Sequence, residues 1–366
     1  MNLGFIIYGS LDTLSGGYLY DRKLVEYLRL QGDGVQVISL PWRNYAAHLL
    51  DNLSFRLPEM VNSQKLDVLI QDELNHPSLL LANRGRHPYP IISLVHHLRC
   101  SEKRPEWQNA FYSLIEKQYL QSVDGFIFNS ETTEQVVNNL LDRRKLGIVG
   151  YPPTDRFGAP LSEEEIVDRA KTSPLKILFL GNVIYRKGLH TLLEAVKRLN
   201  SPIRIDVVGA LNVEPAYASK IVRLIEDNHL ASCVFLHGSL DKEPLVERLR
   251  DAHLLVVPSS YEGFGIVYLE GMCFGLPAIG TTAGATGEVI EHGQRGYLIA
   301  PGHAESLAVH LTSLARDREL LIHLSLNARA RYLRQPSWEE TASNIRAFLE
   351  MMVQYFAPHR RGIKQT

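Results

Sequence analysis

The sequence has few cysteines and no long apolar run. Its 366 residues include three cysteines, Cys100, Cys233 and Cys273, and this odd, scattered set does not suit a disulfide framework or a Cys-x-x-Cys metal site. Nowhere do about 18 apolar residues run together, and the start lacks the basic and apolar regions of a signal peptide. We therefore expect a protein of the reducing cytoplasm, soluble or peripheral to a membrane.

The sequence also lacks an excess of charge of either sign. Its 39 Lys and Arg residues and 40 Asp and Glu residues give a net charge of -1. It has neither a zinc-finger spacing nor a long basic run, which argues against a nucleic-acid partner. With 45 % hydrophobic residues among 366 positions, the chain is long enough to form two globular domains.

Apolar runs of strand length recur along both halves of the chain, separated by segments of helix or loop length. In the first half they lie at residues 3–8, 35–40, 66–70, 91–95 and 125–129. In the second half they lie at residues 175–181, 203–209, 233–238, 253–259 and 276–281. This alternation is typical of parallel sheets with helices on both faces.

Prolines, glycines and an acidic run interrupt the alternation at residues 147–165, as expected for a domain linker. We therefore predict an α/β chain with two Rossmann-like, doubly wound parallel-sheet domains that face each other across a cleft. The predicted domains are residues 1–157 and 158–337, and residues 338–366 add a helix and a basic tail. Ligands of such sheets bind at the carboxyl ends of the strands, so we expect function in the cleft.

The segment YEGFGIVYLE sets Glu262 and Glu270 around a Gly-Phe-Gly turn. It follows a predicted strand and opens a helix that is apolar nearly all round, where an unpaired glutamate would be costly to bury. Both glutamates can accept hydrogen bonds from the hydroxyls of a polyol. The alternative is a helix cap at Glu262 and a solvated Glu270. The turn and the helix dipole suit a phosphate, which would meet the amides of Gly263, Phe264, Gly265 and Ile266.

Glu262 and Glu270 are separated by seven residues, and this spacing resembles the E-x7-E motif of retaining glycosyltransferases of the family 4 type, the glycosyl transferases group 1. Enzymes of that family have the GT-B fold. The resemblance extends over the donor-site block at residues 258–299 and over a second signature, FLGNVIYRKGLHTLLEAV, at residues 179–196. In the first half of the chain it rests on short motifs.

The resemblance implies roles for residues of the second domain. Glu270 would hold the nucleotide ribose, and Glu262 would contact hydroxyls of the donor sugar. Arg186 and Lys187 follow a strand and Gly181, and they would neutralise a diphosphate leaving group. The base would lie at the segment LHGSLD, near Gly238 and Leu240.

The resemblance also implies roles in the first domain. His96, rather than His97, would be the active-site histidine that bonds or orients the donor sugar. Gly16 and Gly17 match a glycine loop that approaches the phosphates and the acceptor. A structural histidine and a plain turn are the competing interpretations.

The predicted function is that of a retaining transferase that moves a sugar from a UDP- or GDP-linked donor to a glycan or lipid-linked acceptor, in polysaccharide or glycolipid biosynthesis. Attack on the leaving-group face is expected, with His96, Arg186, Lys187 and Glu262 as catalytic residues and no separate cofactor. The sequence has no Asp-x-Asp motif, and two basic residues would replace a metal as counter-charge. The alternatives are a non-hydrolysing sugar-nucleotide isomerase of the 2-epimerase type and a catalytically silent sugar-nucleotide binder.

A basic and aromatic segment suggests a weak contact with anionic lipids at the inner face of the plasma membrane. Its residues are Arg84, Arg86, Arg99, Lys103, Arg104, Trp107, Phe111 and Tyr112. A salt-bridged core helix is the alternative. The tail HRRGIKQT is basic as well, and the resemblance implies that the helix before it crosses back to the first domain.

Overall fold

The structure is a computed structural model that describes residues 1–13, 15–53, 65–84, 87–153 and 155–361. The chain divides into two compact units, one formed by Met1–Pro153 with Pro336–Thr366 and the other by Thr154–Gln335. Arg86 and residues 362–366 of the basic tail lie outside the described residues.

Among its described residues, the first unit contains a six-stranded parallel sheet with the strand order β2-β1-β3-β4-β5-β6. The strands are β1 (Asn2–Tyr8), β2 (Gly34–Leu40), β3 (Val68–Asp72), β4 (Ile91–Val95), β5 (Gly125–Phe128) and β6 (Leu146–Val149). Strands β4 and β5 are buried along their whole length, which explains why they read as apolar runs rather than as alternating patterns.

Six helices of the described part accompany this sheet. They are α1 (Gly16–Leu30), α2 (Tyr45–Leu50), α3 (His76–Leu79), α4 (Glu106–Ser122), α5 (Glu131–Leu140) and the last helix of the chain, α14 (Trp338–Arg361). Helix α1 begins where the Ser15 side chain accepts a hydrogen bond from the Tyr18 amide. Helix α14 shares one apolar core with α1 and β1, to which it contributes Ala342, Ile345, Phe348, Leu349 and Met352.

The second unit also contains a six-stranded parallel sheet within its described residues, with the order β12-β11-β10-β7-β8-β9. The strands are β7 (Leu175–Leu180), β8 (Ile203–Val208), β9 (Val234–Gly238), β10 (Leu254–Val256), β11 (Ala278–Thr281) and β12 (Gly296–Ile299). The helices are α6 (Glu163–Ala170), α7 (Leu189–Val196), α8 (Pro215–Asp227), α9 (Lys242–Asp251), α10 (Ile266–Cys273), α11 (Thr286–Val289), α12 (Ala304–Arg316) and α13 (Arg318–Tyr332).

The predicted α/β class with two parallel sheets is confirmed. Two strands, β6 and β12, are absent from the predicted set. Both lie at the edge of a sheet, and half or more of the residues in each are incompletely buried. Each has only four residues, including a glycine (LGIV and GYLI), so neither produces an apolar run as long as those from which the other strands are predicted.

Candidate active site

The predicted glutamate segment lies between β10 and α10 in the second unit. Gly265 is the residue before α10, and its φ of 90° is in the left-handed region. A Cβ atom at this position would lie 2.5 Å from the Tyr268 ring, so only glycine fits without rearrangement. The turn therefore brings Gly263, Phe264 and Ile266 to the amino-terminal end of a helix, where backbone amides and the helix dipole favour an anion.

Glu262 is a buried carboxylate held by two basic residues. Its Oε1 accepts a hydrogen bond from the Lys187 Nζ at 2.5 Å and from the Ser259 hydroxyl at 2.6 Å. The Arg186 Nη1 lies 3.7 Å from the same oxygen. Among the described residues, the side-chain hydrogen bonds and ion pairs of Glu262 all end on Oε1, so Oε2 is the oxygen that remains for a ligand.

Burial and the neighbouring charges have opposite effects on the pKa values of Glu262 and Lys187. Burial opposes the charge of Glu262, but Lys187 and Arg186 outweigh it and lower the pKa of Glu262 to about 2. Burial lowers the pKa of Lys187, while Glu262 acts against that change. The pair therefore remains a carboxylate and an ammonium near neutral pH.

Backbone contacts fix Arg186 and Lys187 in place. Both lie in a 3-10 turn, Tyr185–Lys187, that follows β7. The Ser260 amide donates to the Arg186 carbonyl at 2.7 Å, and the Arg186 Nη1 donates to the Tyr261 carbonyl at 2.8 Å. One main-chain hydrogen bond and one from the Arg186 guanidinium thus join Arg186 to the segment before α10, which places the two cations beside Glu262.

Glu270 has a partner that sequence analysis does not identify. Its side chain is buried, and its Oε1 lies 3.1 Å from the Nη1 of Arg156. Burial raises the pKa of Glu270, while Arg156 and Lys187 favour its ionised form. Arg156 falls within the predicted linker and is 114 residues from Glu270 in the sequence, so neither spacing nor a local motif connects them.

Two further glycines predicted for this unit lie at strand ends: Gly181 follows β7 directly, and Gly238 is the last residue of β9, which β8 separates from β7. The Gly181 amide donates to the Val208 carbonyl at 2.9 Å, and the Gly209 amide donates to the Gly238 carbonyl at 2.8 Å. Gly238 has a φ of 69°, which favours glycine. Leu240 is partly exposed between β9 and α9. The predicted base-binding segment LHGSLD therefore lies at the carboxyl end of β9, and Gly181 lies at the carboxyl end of β7.

His96 lies directly after β4 in the first unit and contacts a buried acid. Its Nε2 lies 3.0 Å from the Oδ1 of Asp21, which is on α1. A Cβ atom on Gly17 would lie 3.3 Å from the His96 ring, so the glycines at the start of α1, Gly16 and Gly17, allow a close approach there. His97 instead contacts Glu102 at 3.1 Å. Of the two histidines, His96 is the one next to the glycine loop.

The acids around His96 keep its ring charged. Burial opposes the charge, but Asp21, Asp72 and Glu73 outweigh it and raise the pKa of His96 to about 9. Sequence analysis does not identify Asp21, because a single acid within an amphipathic helix gives no sign that it is completely buried.

Two described clusters bring three carboxylate or imidazole atoms within 4.8 Å of one another. One consists of Asp21, Asp72 and His96, and the other of Glu73, His76 and Glu116. The contact between His96 and Asp21 accounts for the first cluster. In the second, Glu116 accepts hydrogen bonds from two backbone amides. Members of both clusters are thus already hydrogen-bonded to other groups of the protein, and we assign a metal to neither cluster.

In the described part of the chain, no helix combines the length and the apolar character needed to span a bilayer.

Comparisons with known proteins agree with this geometry. The family described as glycosyl transferases group 1 matches residues 162–331. The D-rhamnosyltransferase WbpZ of Pseudomonas aeruginosa is 29 % identical over 264 residues, which are 67 % of this chain and 67 % of that protein. Sucrose-phosphate synthase from Thermosynechococcus elongatus has a TM-score of 0.82 at 19 % identity and covers 98 % of this chain and 99 % of its own. Anabaena HepE in complex with UDP and glucose has a TM-score of 0.75 at 18 % identity, with 96 % and 100 % covered.

The two solved structures show the fold, because their agreement with both six-stranded parallel sheets gives this chain the GT-B fold. The matched residues 162–331 also include the basic pair Arg186 and Lys187 and both glutamates. The match to the glycosyl transferases group 1 family covers residues 162–331, and together with the similarity to a rhamnosyltransferase it supports a glycosyltransferase.

Proposed function

We propose that this glycosyltransferase is a retaining, metal-independent hexosyltransferase that uses a UDP- or GDP-sugar to extend a glycan or glycolipid in polysaccharide or glycolipid biosynthesis. The observation that carries the proposal is the convergence of Lys187 and Arg186 on buried Glu262 beside the start of α10. Two cations and a helix amino terminus suit a diphosphate, and a carboxylate suits sugar hydroxyls. The HepE structure with UDP-glucose supports a nucleotide-sugar donor.

In this proposal, Lys187 and Arg186 stabilise the diphosphate as it leaves, since its charge grows in the transition state. The Oε2 of Glu262 accepts a hydrogen bond from a donor-sugar hydroxyl. The ionised carboxylate also lies near the positive charge that develops on the sugar. The acceptor hydroxyl attacks the face from which the diphosphate departs, and the leaving phosphate takes its proton.

Glu270 is proposed to accept hydrogen bonds from the ribose hydroxyls. The base would lie at the segment that contains Gly238 and Leu240. In the first unit, His96 is proposed to bond the donor sugar, and it would do so through Nδ1 because its Nε2 contacts Asp21. Gly16 and Gly17 would lie near the phosphates and the acceptor.

A peripheral membrane contact, at the cytoplasmic face, is proposed for α4. Trp107, Phe111 and Leu114 are spaced to share one helix face and are 72 %, 43 % and 56 % exposed. The nearby Lys103 is exposed, whereas Arg104 is paired with Glu102. We expect weak binding to anionic vesicles that salt and the change Trp107→Ala both reduce. Equal flotation with neutral vesicles would refute this contact.

The transferase proposal is tested by incubating the full-length protein with UDP-glucose, UDP-galactose, UDP-N-acetylglucosamine and GDP-mannose. Slow release of UDP or GDP, together with an α-configured sugar product, is the expected result with at least one donor. The variant Glu262→Gln should lose this release, and Glu247→Gln, which changes an exposed glutamate on α9, should keep it. A changed sugar still attached to the nucleotide would identify an isomerase. A thermal shift without turnover would identify a binder.

A further inference from the structure

A cavity of about 90 Å³ lies within the first unit. It is lined by side chains at the carboxyl ends of four neighbouring strands, namely Tyr8 at the end of β1, Trp42 after β2, Glu73 after β3 and Arg99 after β4. In parallel sheets of this class, ligands bind at this edge. No residue of this cavity is among the site residues assigned above.

Two aromatic rings position the Arg99 side chain, and in the described part of the chain no carboxylate forms an ion pair with it. Its guanidinium lies 5.1 Å from the centre of the Tyr45 ring and 4.8 Å from the centre of the Tyr112 ring. Within the described part of the chain its side chain forms no ion pair, and its Nε is buried without a hydrogen-bond partner. A guanidinium oriented between two rings is ready to bind an anion at low entropic cost.

The other basic side chains near Arg99 are already paired. Arg43 lines the same cavity and contacts Asp51. Arg104 contacts Glu102 at 2.8 Å, and His97 contacts the same carboxylate at 3.1 Å. An incoming anion would therefore have to displace a carboxylate from Arg43, but not from Arg99.

Two acids line the cavity; Glu102 is paired with His97 and Arg104, and Glu73 is easily neutralised. Burial raises the pKa of Glu73 to about 7, although neighbouring cationic groups act against that change. The adjacent His76 is neutral near pH 7, because burial lowers its pKa to about 4. A protonated Glu73 can donate a hydrogen bond and does not repel an anion. The charged or titratable groups that interact with Glu73 are Tyr45, Asp72, His76, His96, His97, Arg99, Cys100, Glu102, Glu116 and Tyr119.

We propose that this cavity, the Arg99 cavity, binds a phosphate or carboxylate group carried by a sugar-sized acceptor, with Arg99 as the anion-binding residue. Trp42, which is 63 % exposed, lies beside the sugar ring. The inference rests on the proposed function, because it assigns the chemistry of the acceptor. The acceptor is therefore an acidic or phosphorylated sugar rather than a neutral one.

Isothermal titration calorimetry on the full-length protein tests the inference with four probes: glucose 6-phosphate, glucuronate, glucose and inorganic phosphate. We expect one of the two anionic sugars to bind about tenfold or more tightly than glucose, as a charge-assisted hydrogen bond implies. It should also bind more tightly than inorganic phosphate, which has no ring to contact Trp42. Affinity for glucose or phosphate equal to that for the anionic sugars would overturn the proposal, and so would the absence of signal from both anionic sugars.

Two variants connect that binding to Arg99. Arg99→Gln should weaken binding about tenfold or more, and Arg99→Lys should restore part of it, because it keeps the charge without the planar fork. Arg144→Gln removes one exposed charge of the first unit, outside the cavity lining, and should leave affinity unchanged. Full affinity in Arg99→Gln would mean that this cation only holds Tyr45 and Tyr112 together.

A circular dichroism spectrum of each variant checks folding, and a misfolded Arg99→Gln leaves Arg99→Lys as the deciding variant. The same samples are assayed for release of UDP or GDP from the donor. A wild-type protein that releases UDP or GDP but binds neither anionic sugar would overturn the inference about the acceptor and leave the transferase proposal standing. A wild-type protein that releases neither nucleotide would count against the transferase proposal itself.

Discussion

Replacing Glu262 by glutamine tests the ion pairs at the start of α10. Burial opposes ionisation of Glu262, but Lys187 and Arg186 outweigh it and lower its pKa from 4.5 to about 2. Because this pKa is lower in the folded chain, the carboxylate stabilises the fold above pH 4.5, and that stability is lost as the pH falls toward 2. A pKa difference of this size corresponds to about 3 kcal/mol in the free energy of unfolding.

The Glu262→Gln variant lacks this contribution and leaves buried Lys187 without its carboxylate. We expect it to be about 3 kcal/mol less stable than the wild type at pH 7. The difference should shrink as the pH falls below 4.5, where the wild-type carboxylate becomes protonated. Glu247→Gln serves as the matched control.

The assay must report on the second unit. Trp42, Trp107 and Trp338 are the three tryptophans of the chain, and all of them lie in the first unit. Hydrogen exchange of peptides from β10 and α10, measured at several urea concentrations, follows the second unit directly. A stability difference between Glu262→Gln and the wild type that stays constant from pH 7 to pH 3, or is absent at both, would refute the reasoning.

Three further predictions concern ligand binding and catalysis. Glu270→Ala should weaken binding of UDP or GDP about tenfold by calorimetry, because it removes hydrogen bonds to the ribose, and unchanged affinity would contradict that role. Arg186→Ala combined with Lys187→Ala should lower turnover about a hundredfold with a smaller change in KM, and wild-type turnover would exclude leaving-group stabilisation. Asp21→Asn should lower the pKa of His96 from about 9, as measured by NMR titration of the imidazole, and an unchanged titration would show that Asp21 does not hold the charge.

Much of the fold could be predicted because its central strands are apolar throughout. Strands β4 and β5 are completely buried in the first unit, and β10 is in the second, so the sequence reveals them without long-range information. Strands β6 and β12 could not be predicted in this way. Each is only four residues long and pairs with one neighbour, and so short an apolar segment does not by itself predict a strand.

The residues of the candidate site could be predicted where a short motif contains them. Glu262, Glu270 and the basic pair lie in such motifs, but Arg156, the partner of Glu270, and Asp21, the partner of His96, do not. Arg156 reaches Glu270 across 114 residues, and Asp21 reaches His96 across 75. Such pairs arise from the order of strands in the sheet, which one sequence does not specify.

The helix α14 has a consequence for the order in which the protein is completed during synthesis. The second unit is one continuous segment, Thr154–Gln335, whereas the first unit also needs Pro336–Thr366. The ribosome therefore delivers every residue of the second unit before it delivers the buried side chains of α14, such as Ile345 and Leu349. The half of the protein that is made first is the last to complete its core, so a nascent chain stalled before residue 336 exposes apolar surface on that half and becomes prone to aggregation.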